Sequence, residues 1–234
     1  MKFIGIDLGW KMNPPRTNGT AVCMMNLNGE VEDIELLTTD EDILERLILN
    51  EDAWVGIDAP LMMPDEGRLR KCERILFSRG IRLLPTNRQF SIKRFGGCRG
   101  ERLVAKLNLL GFELRNCHHP KGKAIFEVYP YGILYAITNG NVPRYKKGRK
   151  EVRRKGILEV LDGIISWEHS IRIPKGLKES ILSDQNLAAA GDMIDALLCA
   201  VCVYSHWIYI GMRTECLGEE SDGLILLPIM EGNR

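Results

Sequence analysis

Residues 1–10 read Met1-Lys2-Phe3-Ile4-Gly5-Ile6-Asp7-Leu8-Gly9-Trp10, an apolar run with one carboxylate inside it and a glycine two residues after that carboxylate. Phe3, Ile4, Ile6 and Leu8 show no clean period of two, the pattern of a central strand covered by helices on both faces. An isolated ionised carboxylate is costly to bury. Asp7 must therefore be paired with a basic group, protonated, or bound to a metal.

Working outward, a loop over 11–18 delivers the chain to a second strand within 19–26, and Asn28-Gly29 turns it into a third, Val31 to Leu37. Two such runs joined by Asn-Gly are a hairpin signal, so the first three strands form an antiparallel meander. Thr39 or Asp40 can cap a helix from about Glu41 to Leu49, with Ile43, Leu44, Leu47 and Ile48 at helical spacing. That helix crosses over to a fourth strand, Ala53 to Asp58, which Pro60 ends. A right-handed crossover sets strand four parallel to strand one and beside it, making Asp7 and Asp58 neighbours. Both strands read apolar-Gly-Ile-Asp, and both acids fall near the carboxyl ends, where open α/β sheets bind ligands.

Further along, Gly67 to Arg79 reads as a helix, Leu84 to Gly97 as a long functional or mobile loop, and Glu101 to Leu110 as another helix. The stretch Ala124 to Pro130 reads as a fifth strand and carries Glu127 three residues before Pro130; Ile133 to Ile137 is a short helix, and a basic stretch leads into a helix ending near Ile165. The last long helix spans about Asp184 to Trp207, with Asp184 as its cap and Asp192 and Asp195 three apart on one face. Those two acids either face solvent, pair with the basic loop, or join Asp7 and Asp58; the apolar, alanine-rich helix around them argues against solvent. Leu224 to Pro228 reads as a terminal strand. The expected architecture is one α/β domain over 1–234 with a five-stranded mixed sheet in the order 3-2-1-4-5, strand two antiparallel to the others. Helices cover both faces, and insertions fall around 80–120 and 140–180.

Thirty-two basic residues against 31 acidic ones leave a net charge of +1, so global charge selects no partner. Local charge does: Arg144 to Lys155 holds eight Lys/Arg and one Glu, a stretch of +7 that leaves −6 for the remainder. The seven cysteines are odd in number and scattered, and read as reduced thiols. Cys199 and Cys202 lie in an apolar helix and read as core; Cys117-His118-His119 has no matching pair and reads as a polar loop. No secretory leader pattern opens the chain and no apolar run approaches the length of a membrane span, which together predict a soluble cytoplasmic protein.

Strand-borne and helix-borne acids without histidine or cysteine among them form an oxygen donor set suited to Mg²⁺ or Mn²⁺ rather than zinc. The segments GIDLGW, VGIDAPL, the Arg70-x-Cys72 helix, FEVYP and GDMIDALLCA together resemble a widespread family of uncharacterised proteins labelled predicted nucleases of the ribonuclease H-like fold, related to Holliday-junction resolvases. The resemblance covers nearly the whole chain. It implies a metal-dependent phosphodiesterase with Asp7, Asp58, Asp192 and Asp195 as metal-binding and catalytic carboxylates. Glu127 matches the EVYP glutamate of the uncharacterised family alone and completes the expected catalytic set. Where resolvases usually carry Glu on the fourth strand, this chain has the shorter Asp58. Arg144, Lys146, Lys147, Arg149, Lys150, Arg153 and Arg154 are the expected phosphate contacts to DNA or RNA; Arg70 and Arg88 would serve a smaller phosphorylated substrate. Two other classes compete: a non-catalytic nucleic-acid-binding scaffold of the same fold, and a phosphotransferase or ATPase of the actin-like superfamily. The latter normally needs two copies of the fold, and the chain has room for one.

Overall fold

A computed structural model of the chain describes residues 1–12, 19–50, 52–67, 69–114 and 122–230. Residues 13–18 of the first expected loop and the Cys117-His118-His119 motif lie outside these. Strands β1 (Lys2–Asp7), β2 (Thr20–Asn26) and β3 (Val31–Leu37) form the antiparallel meander. Helix α1 (Asp40–Ile48) is capped by Thr39, whose hydroxyl accepts from the Asp42 amide at 3.1 Å while the Asp42 carboxylate accepts from the Thr39 amide at 2.9 Å. It leads to β4 (Ala53–Asp58), which pairs parallel to β1 with Gly5 opposite Gly56 and Asp7 opposite Asp58. There follow α2 (Lys71–Ser78), α3 (Arg88–Phe95), α4 (Arg99–Asn108), β5 (Glu113–Leu114), β6 (Ala124–Glu127), α5 (Pro130–Ile137), α6 (Lys150–Trp167), α7 (Lys175–Leu182), α8 (Ala190–Ile208), β7 (Thr214–Glu219) and β8 (Gly223–Pro228).

The molecule is a mixed α/β protein whose main sheet runs β3-β2-β1-β4-β6-β5, with β7 and β8 as a separate antiparallel pair. The expected order 3-2-1-4-5 is present with β6 as its fifth member, but the sheet has six strands. The extra edge strand, β5, is two residues long and pairs parallel to β6, too short to leave a sequence pattern. The expected loop over 84–97 contains α3: the Asn87 side chain accepts from the Phe90 amide at 2.8 Å and caps it. Asp184 does not cap the last helix, which begins at Ala190; it pairs instead with Lys150 at 3.0 Å and Arg154 at 3.1 Å, tying α6 to the turn before α8. Among the described cysteines, 23, 72, 98, 199 and 202 are free, whereas Cys216 is disulfide-bonded, which corrects the reading of all seven as reduced thiols.

Alternation along the central strands explains how the site is placed. Ile4, Ile6, Val55, Ile57 and Ile125 face one core with Ile43, Leu47, Leu103 and Leu107 of α1 and α4. Phe3, Trp54 and Phe126 face the other, under α8, α5 and α6. By the same alternation Gly5 and Asp7 of β1, and Gly56 and Asp58 of β4, lie on the α8 face. The glycines let the helix press onto the sheet: a Cβ on Gly5 would stand 1.9 Å from the Ala196 carbonyl oxygen, and one on Gly56 2.8 Å from that of Cys199. Contrary to the sequence expectation, α8 is long and apolar enough to cross a membrane by length and composition, and 83% of its apolar window is buried inside the protein. It is the core helix of this face.

Gly5→Ala should therefore force α8 off the sheet and cost about 2–3 kcal/mol, the upper part of the range for overpacked cores. Gly176→Ala, in α7 with nothing within 4 Å of the new Cβ, should be neutral or stabilising by up to about 1 kcal/mol. Urea denaturation of the two variants checks both; a Gly5→Ala protein as stable as the parent would refute the close approach.

Candidate metal centre

Strands β1 and β4 end side by side in Asp7 and Asp58, and α8, seated on the glycines two residues before each acid, adds Asp195 from above. One carboxylate oxygen from each of these three residues lies within 4.8 Å of the others. Asp195 is fixed by the Tyr145 hydroxyl, which donates to its Oδ1 at 2.6 Å. The other Asp195 oxygen meets the Lys146 ammonium, which also stands 3.8 Å from Asp7 Oδ2 and 3.5 Å from Asp192 Oδ1. The Lys146 stem crosses α8 at Gly191, where a Cβ would stand 2.7 Å from Lys146 Cγ. A glycine on the first turn of α8 thus opens the path by which the lysine enters.

The electrostatics follow from this crowding. Burial, then the Asp195 and Asp58 charges, hold the Asp7 carboxyl well above the usual carboxylate range. Burial and then Asp195 push Asp58 up to about 8. Asp195 is raised by burial, with Lys146 and the Tyr145 hydroxyl opposing. Burial disfavours the Lys146 ammonium, but Asp195 and then Asp7 more than offset it, and its pKa is raised. Of the three fates open to Asp7, the described structure shows features of two: a basic group within reach, the Lys146 ammonium at 3.8 Å, and burial that favours the protonated carboxyl. The donor set also fits a hard divalent cation: three carboxylates in one cradle, whose burial and crowded charge such a cation would offset.

The other expected site residues divide. Asp192 shares the α8 face but its side chain is 45% exposed against 6% for Asp195, so it stands at the mouth and contacts the centre through Lys146. Glu127 is not among the three. It lies opposite Ile57 in the β4–β6 register, so alternation turns it from the Asp58 face. It accepts from Arg70 at 2.6 and 3.0 Å and from the Leu61 amide at 2.9 Å. Arg70 is fully buried and also donates to Glu73 at 2.9 Å and to the Met62 carbonyl at 3.0 Å. Arg88 is clamped by Glu101 at 2.9 Å through two nitrogens and by Asp65 at 2.6 Å. Neither arginine presents a free fork to a ligand. Arg153 donates to the Leu187 carbonyl and Arg154 to that of Leu182, both at 3.1 Å, while Arg149 and Lys150 are exposed at the start of α6. Sequence reasoning gave Tyr145 no role and Lys146 the role of a phosphate contact; the only signal for either was its place at the head of the basic stretch.

Residues 5–220 match the family model described as "Protein of unknown function (DUF429)", and the chain belongs to that family. The matched span holds every member of the carboxylate cluster and its lysine. No curated protein and no solved structure matches the chain.

Because Glu127 neutralises a buried guanidinium, Glu127→Gln should destabilise the protein by about 3 kcal/mol, a melting-temperature loss of roughly 10 °C. The thermal shift produced by added Mn²⁺ should be retained. A stable Glu127→Gln protein that no longer responds to Mn²⁺ would add Glu127 to the metal-binding set.

Proposed function

We propose that the chain is a metal-dependent phosphodiesterase acting on nucleic acid, built on a sheet of the ribonuclease H-like kind. The observation that carries this reading is the convergence of Asp7, Asp58 and Asp195 at the carboxyl ends of two parallel strands, within 4.8 Å of one another. A sheet with an antiparallel second strand and a parallel fourth beside the first supports the fold assignment. Asp7, Asp58 and Asp195 would hold Mg²⁺ or Mn²⁺, with Asp192 at the mouth. An ion bound there supplies positive charge to the phosphate oxygens and acidifies water. The protein's own groups set the geometry: Tyr145 orients Asp195, the register fixes Asp7 against Asp58, and Lys146 neutralises the cluster until a cation replaces it. Exposed Arg144, Lys147, Arg149 and Lys150 would hold the phosphate backbone without reading sequence.

One observation favours the second reading, a non-catalytic scaffold: the Lys146 ammonium already meets three of the carboxylates and could serve as a permanent counter-ion. The two readings differ in what a divalent ion does. In the first, Mn²⁺ at about a hundred times its Kd stabilises the fold by about 2.7 kcal/mol, a rise of roughly 5–10 °C. Asp7→Asn abolishes that rise, and Lys146→Ala, which removes the competing cation, tightens Mn²⁺ binding by about tenfold or more in calorimetry, the loss of a like charge worth about 1.4 kcal/mol. Single-stranded, duplex and four-way-junction DNA and RNA, labelled and incubated with Mg²⁺ or Mn²⁺, test the reaction. Cleavage that vanishes in Asp7→Asn supports the phosphodiesterase. An unchanged melting temperature in Mn²⁺ and intact substrates throughout would leave the scaffold.

A further inference from the structure

Beside the carboxylates, and sharing Asp58 with them, opens a cavity of ≈ 240 Å³ whose lining includes Trp10, Leu84, Tyr129, Arg70 and Glu127. We propose that it receives the base of an unpaired nucleotide whose phosphodiester lies at Asp7, Asp58 and Asp195, so that the substrate is single-stranded or locally unpaired nucleic acid. The inference rests on the phosphodiesterase reading and specifies its substrate.

Size, walls and charge all point to a base. At ≈ 240 Å³ the cavity has room for the ring system of one base. Its aromatic walls are held open. The Trp10 indole N–H donates to the Asp58 carbonyl at 3.4 Å and its ring is buttressed edge-on by Phe95 at 5.3 Å. The Tyr129 hydroxyl donates to the Arg82 carbonyl at 2.7 Å. Leu84, with 51% of its surface exposed, adds apolar area at the rim. Exposed Lys93 and Arg94 follow on α3, the Arg94 guanidinium 5.8 Å over the Phe95 ring that supports Trp10. Aromatic faces with cations beside them are the elements that bind single strands. Of the polar groups in the lining, Arg70 and Glu127 satisfy each other and the Thr86 hydroxyl donates to Glu73, so that wall demands no particular base; Asp58 belongs to the carboxylate cluster. A paired base could reach the cavity only by leaving its stack.

The test is binding of short fluorescent single strands, in DNA and RNA form, measured by anisotropy in Ca²⁺ with one abasic position moved along the strand. Nucleoside monophosphates serve as the arm for a free nucleotide. With the wild type, one abasic position should weaken binding by about tenfold, within the range measured for lost base–aromatic stacking. Trp10→Ala should lose a similar factor and cease to distinguish that position, Trp10→Phe should keep most of the affinity, and Leu84→Ala, an exposed substitution that spares the fold, should weaken binding less. Strands bound equally well with and without the base, by wild type and Trp10→Ala alike, would overturn the subsite and leave the phosphodiesterase standing. Failure of every strand to bind while Mn²⁺ still binds would overturn both.

Discussion

The separation of α8 from the sheet governs the site. Side chains on both surfaces normally hold a helix away from the strands beneath it. Here Gly5 and Gly56 sit opposite each other in adjacent strands, and the Ala196, Cys199 and Ala200 backbone comes down onto them. Asp195 immediately precedes Ala196, so the contact that seats the helix also delivers the third carboxylate to the first two. The repeated apolar-Gly-Ile-Asp of β1 and β4 is therefore one device: glycine admits the helix, isoleucine fills the opposite core, and aspartate returns to the helix face two residues after the glycine.

Such a close approach concentrates negative charge, and the rest of the local structure compensates for it. Lys146 reaches in past Gly191, Tyr145 donates to Asp195, and both come from a segment pinned by the burial of Tyr145. On the other side of β4, Glu127 would add a further carboxylate, but Arg70 balances it and is itself shared with Glu73. Breaking that buried network would strand a charge, whereas the Lys146 contacts, at the surface end of the centre, can exchange for water or a metal with little desolvation. The two carboxylate systems thus differ in kind: one locked by a guanidinium, the other left with a replaceable partner.

How much of this was legible in the sequence depended on the range of the interaction. The meander, the α1 cap and the pairing of β1 with β4 came from local signals: Asn-Gly, the Thr39-Asp40 pair before an apolar helical period, and a repeated tetrapeptide. The convergence of Asp195 on Asp7 and Asp58 could be read from its place on an apolar helix, but that helix's start could not, because Asp184 has the chemistry of a cap and is used as an ion-pair partner instead. Helix α3 was hidden because Arg88 to Phe95 has no apolar stripe; it is held by the Asn87 cap and by Arg88 ion pairs to residues distant in sequence. Strand β5 was too short to show, and β7 is defined by its pairing with β8. The fate of Glu127 turned on one position of register that no local pattern encodes.

The basic stretch makes the same point about charge. As a sequence it is one block of eight cations; in the folded chain it is three groups with different work. Lys146 turns inward to the carboxylates. Arg153 and Arg154 donate to the carbonyls of Leu187 and Leu182, and Arg154 with Lys150 holds Asp184, so part of the block fastens α6 to the turn that launches α8. Of the rest, Lys155 points outward from α6 beside Glu159, and Arg144, Lys147 and Arg149 point outward flanking the lysine that enters the centre. A phosphate backbone drawn to those three would lie beside the only member of the block that touches the acids. Attraction of a polyanion and release of the Lys146 ammonium from the carboxylates would then act on the same short segment, which couples substrate approach to opening of the metal cradle through ordinary Coulomb forces.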